Sequence, residues 1–368
     1  IPLEQAWRLV QDTSTCYGPP STHILPFHVV EFFHRGLEEF KKGRLLLDFT
    51  DFLDQCSAEL DVDLFILDEA QDNTQQQWRF ARQCGRQAKK VYLAGDDDQA
   101  IYEWGGADSS VLLGMSGQRE TLPRSHRLPR RIFEASTAIA NRIKFRLPKT
   151  WSPREEEGEV NWINSPEECD LKQGNWLLLG RTNYLCRSLV RAARHQGVVY
   201  YWNGAWSNQD PTVKAVLAYE ALRHGEKIPR STAALAVKFA GAALTKQADA
   251  IDWNDIVWPF EGKPDWMKAL FRIGVEQREY IRAVRRNGES LNEPGRVRIS
   301  TIHGAKGAEG ENVLVLGDWS ARVENSFWGS VDQELRVWYV ALSRAKERLF
   351  ITQPKRFSAL HEILCPGH

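Results

Sequence analysis

The stretch LFILDEAQD, Leu64 to Asp72, places four apolar residues directly before two carboxylates, Asp68 and Glu69. Short apolar runs separated by helical patterns are typical of parallel strands in α/β domains. Ligands of such domains bind at the carboxyl ends of the strands. The stretch therefore predicts a strand with a polar site immediately after it.

Five later runs have the same character: VYLAGD from Val91, NWLLLGRT from Asn175, VRISTIHG from Val297, NVLVLGD from Asn312 and ERLFITQ from Glu347. Between about residues 210 and 292 such runs are missing, and Ala, Trp and Arg recur with helical spacing. We therefore expect an α/β fold interrupted by a mostly helical insertion.

Composition limits the classes of function. The 368 residues suggest two or three domains, and 48 basic residues against 48 acidic residues give a net charge of zero. No overall field attracts a polyanion, so a nucleic-acid partner must be held by local basic surfaces. One candidate is the segment from Arg119 to Lys149, which has nine Lys or Arg and two acids, although a charge run is more often only a solvated face.

Cysteine usage and hydropathy suggest a location in the cell. The six cysteines include no C-x-x-C pair, which favours a reducing compartment over a disulfide framework. No apolar run approaches membrane-spanning length, and no signal-peptide pattern is found. We expect a cytoplasmic protein with no membrane partner.

The polar residues after the first two runs fit nucleotide chemistry. Asp68 can hold Mg²⁺, usually through water, and Glu69 can orient an attacking water, although acids also favour helix starts. In VYLAGDDDQAIYEWGG, Gln99 can sense a phosphate, and two aromatics, Tyr102 and Trp104, can stack on bases. The alternative assigns both aromatics to core packing.

Together, DEAQD and GDDDQAIYEW closely resemble motifs of the UvrD/Rep-like superfamily 1 DNA helicases, and the resemblance continues in order along the chain. The further segments are LLLDFTDFL (Leu45 to Leu53), LPRSHRLPRRI (Leu122 to Ile132), LLLGRTNYLCRSL (Leu177 to Leu189), VRISTIHGAKGAEGENVLVL (Val297 to Leu316) and ELRVWYVALSRAKERLFI (Glu334 to Ile351).

This resemblance implies roles for individual residues. Arg127 would reach the γ-phosphate of ATP, and Arg344 would be an arginine finger. Thr301 and His303 would contact the DNA backbone, and Glu309 would contact the nucleotide ribose. ATP would be bound with Asp68, Glu69 and Gln99 on one side and the two arginines on the other.

The resemblance also implies an organisation: two RecA-like parallel-sheet motor domains, the first incomplete, with the helical insertion in the second. We expect the end of the first motor domain with a residual helical subdomain at 1–118, the second motor domain at 119–209 and 293–368, and the insertion at 210–292.

The phosphate loop that such a motor needs is missing from the sequence. No G-x-x-x-x-G-K-[ST] motif occurs, and the Gly262–Lys263 pair is followed by Pro264. Because that loop cradles the phosphates and completes the magnesium shell, we expect this chain alone to bind ATP poorly. A preceding segment, or a separate polypeptide, would then carry the loop.

The function implied is an ATP- and Mg²⁺-dependent motor that moves 3′ to 5′ on single-stranded DNA and acts at junctions between single and double strands. The main alternative is a degenerate motor that serves as a DNA-binding or adaptor subunit. A helicase-nuclease is less favoured because no nuclease-type cluster of carboxylates and lysine follows the last motif.

Overall fold

The computed structural model of the chain describes residues 3–4, 25–56, 59–327 and 329–354. By packing, the chain divides into two compact units. The first comprises Ile1–Val160, Gly317–Lys346 and Pro354–His368, and the second comprises Asn161–Leu316 and Glu347–Gln353. The domain boundaries expected from the sequence are not tested by this division and stay a prediction.

The N-terminal part of the described chain alternates helices with two short strands. Its elements are α1 (Phe27–Arg44), α2 (Phe49–Gln55), β1 (Leu64–Leu67), α3 (Gln75–Cys84), β2 (Lys90–Leu93), α4 (Ser109–Gly114) and α5 (Arg130–Ala140). Side-chain caps fix two of the helix starts. Asp48 accepts hydrogen bonds from the Thr50 and Asp51 amides at α2, and Thr74 accepts one from the Gln77 amide at α3.

The middle of the chain contains most of the strands and helices. Its elements are β3 (Glu159–Ile163), β4 (Trp176–Gly180), α6 (Asn183–Gln196), β5 (Tyr200–Trp202), β6 (Ala205–Trp206), α7 (Pro211–Arg223), β7 (Ile228–Pro229), α8 (Arg230–Ala240), β8 (Ala243–Leu244), β9 (Ala250–Ile251), β10 (Ile256–Val257), α9 (Trp266–Ala269) and α10 (Val275–Arg286). The C-terminal elements are β11 (Val297–Thr301), β12 (Gly310–Val315), α11 (Ala321–Phe327), α12 (Val331–Leu342) and β13 (Ala345–Thr352).

In the first unit, β1 and β2 pair in parallel, with Leu64 opposite Lys90 and Leu67 opposite Leu93. Because side chains alternate along a strand, the two faces of this sheet differ. A groove on one face is lined by β-strand residues such as Phe65 and by Trp78 of α3. On the other face Ile66 is 62% exposed, so the apolar run does not produce a strand buried on both sides.

Two helices of the first unit bury apolar side chains against each other. Helices α5 and α12 pack against each other. Ile132 and Ile139 of α5 and Trp338 of α12 are buried, and Trp338 is among the largest fully buried side chains. This packing fixes the positions of the polar residues next to both helices.

The second unit is built on a seven-stranded sheet in the order β3-β13-β12-β4-β11-β5-β6. Its centre is β4, whose five residues are all buried, and it pairs in parallel with both β11 and β12. Burial on both faces explains why the run WLLLG is uniformly apolar. The predicted α/β fold with a predominantly parallel sheet is confirmed, and each of the six apolar runs contains a strand.

The region from 210 to 292 is mostly helical, as expected. Helices α7, α8, α9 and α10 account for its regular structure together with strands of only two residues each. Within the described residues, no helix is both long and apolar enough to cross a bilayer.

Candidate functional site: the strand ends of the first unit and the end of β11

The site in the first unit begins where β1 and β2 end. The backbone continues the pairing beyond the strands, since the Ala94 amide donates to the Leu67 carbonyl at 2.8 Å and the Ala70 amide donates to the Ala94 carbonyl at 2.9 Å. These bonds bring the turn containing Asp68 and Glu69 next to the turn that follows Leu93. The polar residues that follow these two parallel strands are therefore neighbours.

Glu69 has an unusual backbone. Its φ of 49° and ψ of 39° lie in the left-handed region, which costs a residue other than glycine about 1–2 kcal/mol. The Glu69 amide donates to Asp68 Oδ1 at 2.8 Å, so the two carboxylates are set by one sharp turn. Strain of this kind is concentrated at functional sites, where the surrounding structure holds it.

Gln71 connects the two turns. Its side chain is fully buried, its Nε2 donates to Glu69 Oε2 at 2.5 Å, and its Oε1 accepts from the Asp96 amide at 3.0 Å. A Cβ at Gly95 would lie 2.5 Å from that Oε1, so any larger residue there would have to displace the Gln71 side chain. Gln71 belongs to the DEAQD run, but its position in the sequence does not predict that its side chain bonds to both turns.

The connection continues from Asp96 to Arg344. Gln99 Nε2 donates to Asp96 Oδ2 at 2.8 Å, and Arg344 Nη2 donates to Gln99 Oε1 at 3.1 Å. Arg344 is 1% exposed, and its Nε donates to the Val340 carbonyl at 2.9 Å. A continuous series of hydrogen bonds therefore runs from Glu69 through Gln71, Asp96 and Gln99 to Arg344.

Arg344 and Arg127 form an electropositive pair. Burial, followed by the charge of Arg127, lowers the pKa of Arg344 to about 10, so Arg344 remains a cation at neutral pH. Arg127 lies just before α5, where its amide donates to Ser125 Oγ at 3.2 Å. Two neighbouring guanidinium groups in a partly dry environment favour an anionic ligand.

A cluster of ion pairs missed from the sequence holds the three aspartates after β2. The Lys149 ammonium lies 2.5 Å from both Asp96 Oδ1 and Asp97 Oδ1 and 2.9 Å from Asp98 Oδ2. Arg146 makes two hydrogen bonds to Asp98, of 2.9 Å and 2.6 Å. Two cations of the basic segment 119–149 therefore neutralise protein carboxylates.

Arg336 of α12 anchors the same loop from another side. It is 5% exposed, its Nε donates to the Asp97 carbonyl at 2.9 Å, and its Nη2 donates to the Phe145 carbonyl at 2.7 Å. Because α12 leads directly to Arg344, this anchor fixes the distance between the Asp96–Gln99 turn and the candidate arginine finger.

The two aromatics of the second run lie beside this turn. Trp104 is 72% exposed, and its ring lies 6.4 Å from that of Tyr102 in an edge-to-face arrangement. Because most of its side chain is exposed, Trp104 is not packed in a core. Contact between Trp104 and DNA bases stays a prediction.

Three predicted residues belong to the second unit. Thr301 is the last residue of β11, and its Oγ1 accepts from the Gly304 amide at 3.0 Å. His303 begins the short 3₁₀ turn His303–Ala305, and Glu309 is exposed directly before β12. All three lie at or after the carboxyl end of the central parallel strand β11, and ligands of α/β folds bind at such strand ends.

The carboxylates fit a magnesium ion that arrives with a nucleotide. Among the residues that the structure describes, no group of three His, Cys, Asp or Glu side chains could hold a metal alone. Mg²⁺ commonly uses one or two carboxylates, several waters and substrate phosphates. The exposed Asp68 at the end of β1 suits that incomplete coordination.

Polar side chains at the ends of parallel strands, together with the buried Arg344 and the partly buried Arg127, define an α/β protein with a candidate ligand site at its strand ends. Comparison with known proteins gives the family. The UvrD/REP helicase N-terminal domain matches residues 38–119, and the UvrD-like helicase C-terminal domain matches residues 279–356. These two matches support a UvrD/Rep-like superfamily 1 helicase.

Individual relatives agree with this assignment. The chain is 21% identical to a probable DNA helicase II homolog of Mycoplasma genitalium over 85% of this chain and 57% of that protein. It is 22% identical to the corresponding protein of Mycoplasma pneumoniae, over 89% of this chain and 61% of that protein. The ATP-dependent DNA helicase PcrA of Leuconostoc citreum is 25% identical over 42% of this chain and 21% of that helicase. The chain thus spans about three fifths of the length of the two Mycoplasma proteins.

Proposed function

We propose that this chain supplies the hydrolytic and DNA-contacting parts of an ATP-dependent motor that moves 3′ to 5′ on single-stranded DNA and separates strands at junctions. The observation that carries the proposal is the hydrogen-bonded series from Glu69 to Arg344. It joins a carboxylate that can orient water to a cation that can stabilise phosphate charge.

In the proposed reaction each residue acts on a defined group. Glu69 accepts a hydrogen bond from the attacking water and aligns it with the γ-phosphate. Gln99 is hydrogen-bonded to Arg344 and senses whether that phosphate is present. Arg344 and Arg127 stabilise the charge that develops on the transferred phosphoryl group. Mg²⁺ held partly by Asp68 would neutralise charge on the phosphates.

The series of hydrogen bonds also suggests how hydrolysis affects DNA. The Asp96–Gln99 turn continues within a few residues to Tyr102 and Trp104. A change in the bonding of Gln99 on phosphate release would therefore move the backbone that holds an exposed aromatic. Stacking on such an aromatic is tolerant of base sequence, which suits a translocating motor.

The second candidate is a DNA-binding or adaptor subunit without turnover. It is favoured by one feature of the sequence, the lack of a G-x-x-x-x-G-K-[ST] motif among its 368 residues. Against it, Asp68, Glu69, Gln99, Arg127 and Arg344 are all present. Three of these residues, Glu69, Gln99 and Arg344, belong to one hydrogen-bonded series.

Phosphate release and DNA binding, measured on the same preparations, separate the two candidates. We expect the chain as given to bind single-stranded DNA and to hydrolyse ATP negligibly. A longer polypeptide that adds a phosphate loop ahead of Ile1 should show DNA-stimulated hydrolysis. DNA binding with no hydrolysis in that longer polypeptide would favour the adaptor, and robust stimulated turnover by the chain as given would contradict the need for the loop.

A further inference from the structure

The groove between the β1–β2 sheet and α3 in the first unit has a volume of about 220 Å³. Alternate side chains of the two strands form its floor: Phe65, Leu67, Val91 and Leu93. The other side chains of its lining come from α3 and from the residue after α4: Trp78, Ala81, Arg82 and Met115. Apart from the Trp78 indole N–H and the Arg82 guanidinium, these side chains carry no strong hydrogen-bonding group.

The indole N–H of Trp78 is the first polar group of the groove. Trp78 is 1% exposed, and its Nε1 is buried without a hydrogen-bond acceptor among the residues that the structure describes. Burial of a donor without an acceptor is unfavourable, and most buried polar groups of native proteins are hydrogen-bonded. Because the Trp78 ring lines the groove, a ligand oxygen bound there would give this N–H its acceptor.

The guanidinium of Arg82 is the second polar group. Arg82 follows Trp78 by four residues on α3, and residues with this spacing are neighbours on one face of a helix. Arg82 is exposed, and within the described part of the chain it makes no ion pair, whereas Arg86 lies 3.3 Å from Glu59. A guanidinium next to an N–H donor suits a carboxylate, which accepts hydrogen bonds through both of its oxygens.

The size and the floor of the groove define the rest of the ligand. An apolar cavity of about 150 Å³ is large enough for benzene, whereas sites for larger ligands begin at about 300 Å³. The groove, with about 220 Å³, therefore has room for one ring and a short acid chain. Val91 is 51% exposed, so the floor is open to solvent on the β2 side. The floor side chains are all apolar, so they cannot recognise the sugar or the base edges of a nucleotide.

We propose that this groove binds a small carboxylic acid with one apolar ring. The ring packs on the floor, and the carboxylate accepts hydrogen bonds from the Trp78 N–H and the Arg82 guanidinium. The inference goes beyond the proposed function and does not depend on it, because none of the lining side chains belongs to the hydrogen-bonded series from Glu69 to Arg344.

Saturation-transfer NMR of this chain with 3-phenylpropionate tests the proposal. For a ligand of this size we expect a dissociation constant in the millimolar range or lower. The amide 3-phenylpropionamide keeps the ring but lacks the charge. It should bind about 2-fold to 5-fold more weakly, since the ion pair with the exposed Arg82 is screened by solvent. Acetate, which lacks the ring, should give no saturation transfer.

Two exposed positions of the groove allow substitutions that leave the buried packing unchanged. Arg82→Gln should remove the preference for the acid over the amide, whereas the control Arg86→Gln, at another exposed cation, should keep it. Val91→Phe places a ring on the floor and should weaken binding of the acid by about 5-fold to 150-fold. Its matched control is Ile66→Phe, at a 62% exposed position on the opposite face of the same sheet, which should change affinity by less than about 2-fold.

The indole N–H of Trp78 gives an independent readout. Its signal in a ¹⁵N-correlated NMR spectrum is identified by its absence from the spectrum of Trp78→Phe. This signal should move when 3-phenylpropionate is added and stay in place when acetate is added. A signal that stays in place while the acid binds would show that the acid binds elsewhere.

Three further results would overturn the inference: no binding of the acid, equal affinity for acid and amide, or equal effects of Val91→Phe and Ile66→Phe. Loss of acid binding in the longer polypeptide that adds a phosphate loop would overturn it as well, because a polypeptide segment would then cover the groove. ATP hydrolysis and DNA binding are measured separately, so each of these failures leaves the proposed function standing.

Discussion

Replacing Lys149 with methionine tests whether one buried ammonium holds the loop that carries Gln99. The Lys149 side chain is 15% exposed, and those of Asp97 and Asp98 are 3% and 2% exposed. Methionine has a similar length but removes the charge. The substitution would leave these carboxylates facing an uncharged thioether, with Arg146 still bound to Asp98.

The expected cost follows from the burial of the cluster. Removing one partner of a buried ion pair typically costs about 3–5 kcal/mol because the other charge stays buried. Arg146 and the Leu147 amide, which donates to Asp97 Oδ2 at 2.8 Å, retain part of the compensation. We therefore expect about 3 kcal/mol. For a unit of roughly 200 residues this lowers the melting temperature by about 6–12 °C.

Thermal and urea unfolding at neutral pH measure this cost. The control is Lys89→Met, because the Lys89–Asp63 pair is equally short at 2.6 Å but its side chains are 79% and 80% exposed. An exposed pair contributes about 0.2–1 kcal/mol, so this control should change the melting temperature by less than about 4 °C. Equal and small effects of the two substitutions would refute the reasoning.

The cluster also predicts how stability depends on pH. Burial acts to raise the pKa of Asp96, but the charge and hydrogen bonds of Lys149 outweigh it and hold that pKa below its usual value. Its contribution is therefore present above about pH 4 and lost as the pH falls further. The pKa of Lys149 is raised by the aspartates against the effect of burial, so its contribution is lost only as the pH rises above about 10.4. Lys149→Met should therefore weaken the dependence of folding stability on pH both below about pH 4 and above about pH 10.4.

Three other substitutions test the site. Gly95→Ala introduces a Cβ at 2.5 Å from Gln71 Oε1 and should cost about 1–3 kcal/mol in urea unfolding; an unchanged midpoint would show that Gln71 can move aside. In a polypeptide that carries a phosphate loop, Arg344→Ala should lower DNA-stimulated ATP hydrolysis by about 10³ to 10⁵ while nucleotide-free DNA binding stays nearly intact, and normal turnover would exclude the finger role. Because Trp104 is 72% exposed, Trp104→Ala should change unfolding by less than about 0.5 kcal/mol but weaken oligothymidylate binding by about 1–3 kcal/mol; unchanged affinity would contradict stacking.

Local sequence patterns predicted the strands and the turns that follow them. The run LFILDE gives β1 with Asp68 and Glu69 directly after it, and the run VYLAGD gives the neighbouring strand β2. Such patterns succeed because alternation, apolar runs and Gly-Asp turns act over a few residues. Such patterns do not predict how far a strand is buried. Ile66 is 62% exposed, although its run is as apolar as that of the fully buried β4.

The partners of the site residues could not be predicted in the same way. Lys149 contacts Asp96 across 53 positions of sequence, and Arg344 contacts Gln99 across 245 positions. No periodicity relates residues so far apart, so only the folded chain shows which cation meets which acid. The family resemblance named Arg344 and Gln99, but it gave no sign that Gln71 and Lys149 hold the turns between them.

These partners change what the basic segment 119–149 can do. Arg146 and Lys149 are committed to the three aspartates after β2, and Arg124 and Arg130 lie 3.1 Å and 3.3 Å from carboxylates of the acidic run 155–157. With these four of its nine cations paired to protein carboxylates, the segment offers a weaker field to a polyanion than its charge count suggests, in keeping with a net charge of zero. If the proposed function is correct, DNA binding should then depend mainly on aromatic stacking and a few individually placed cations.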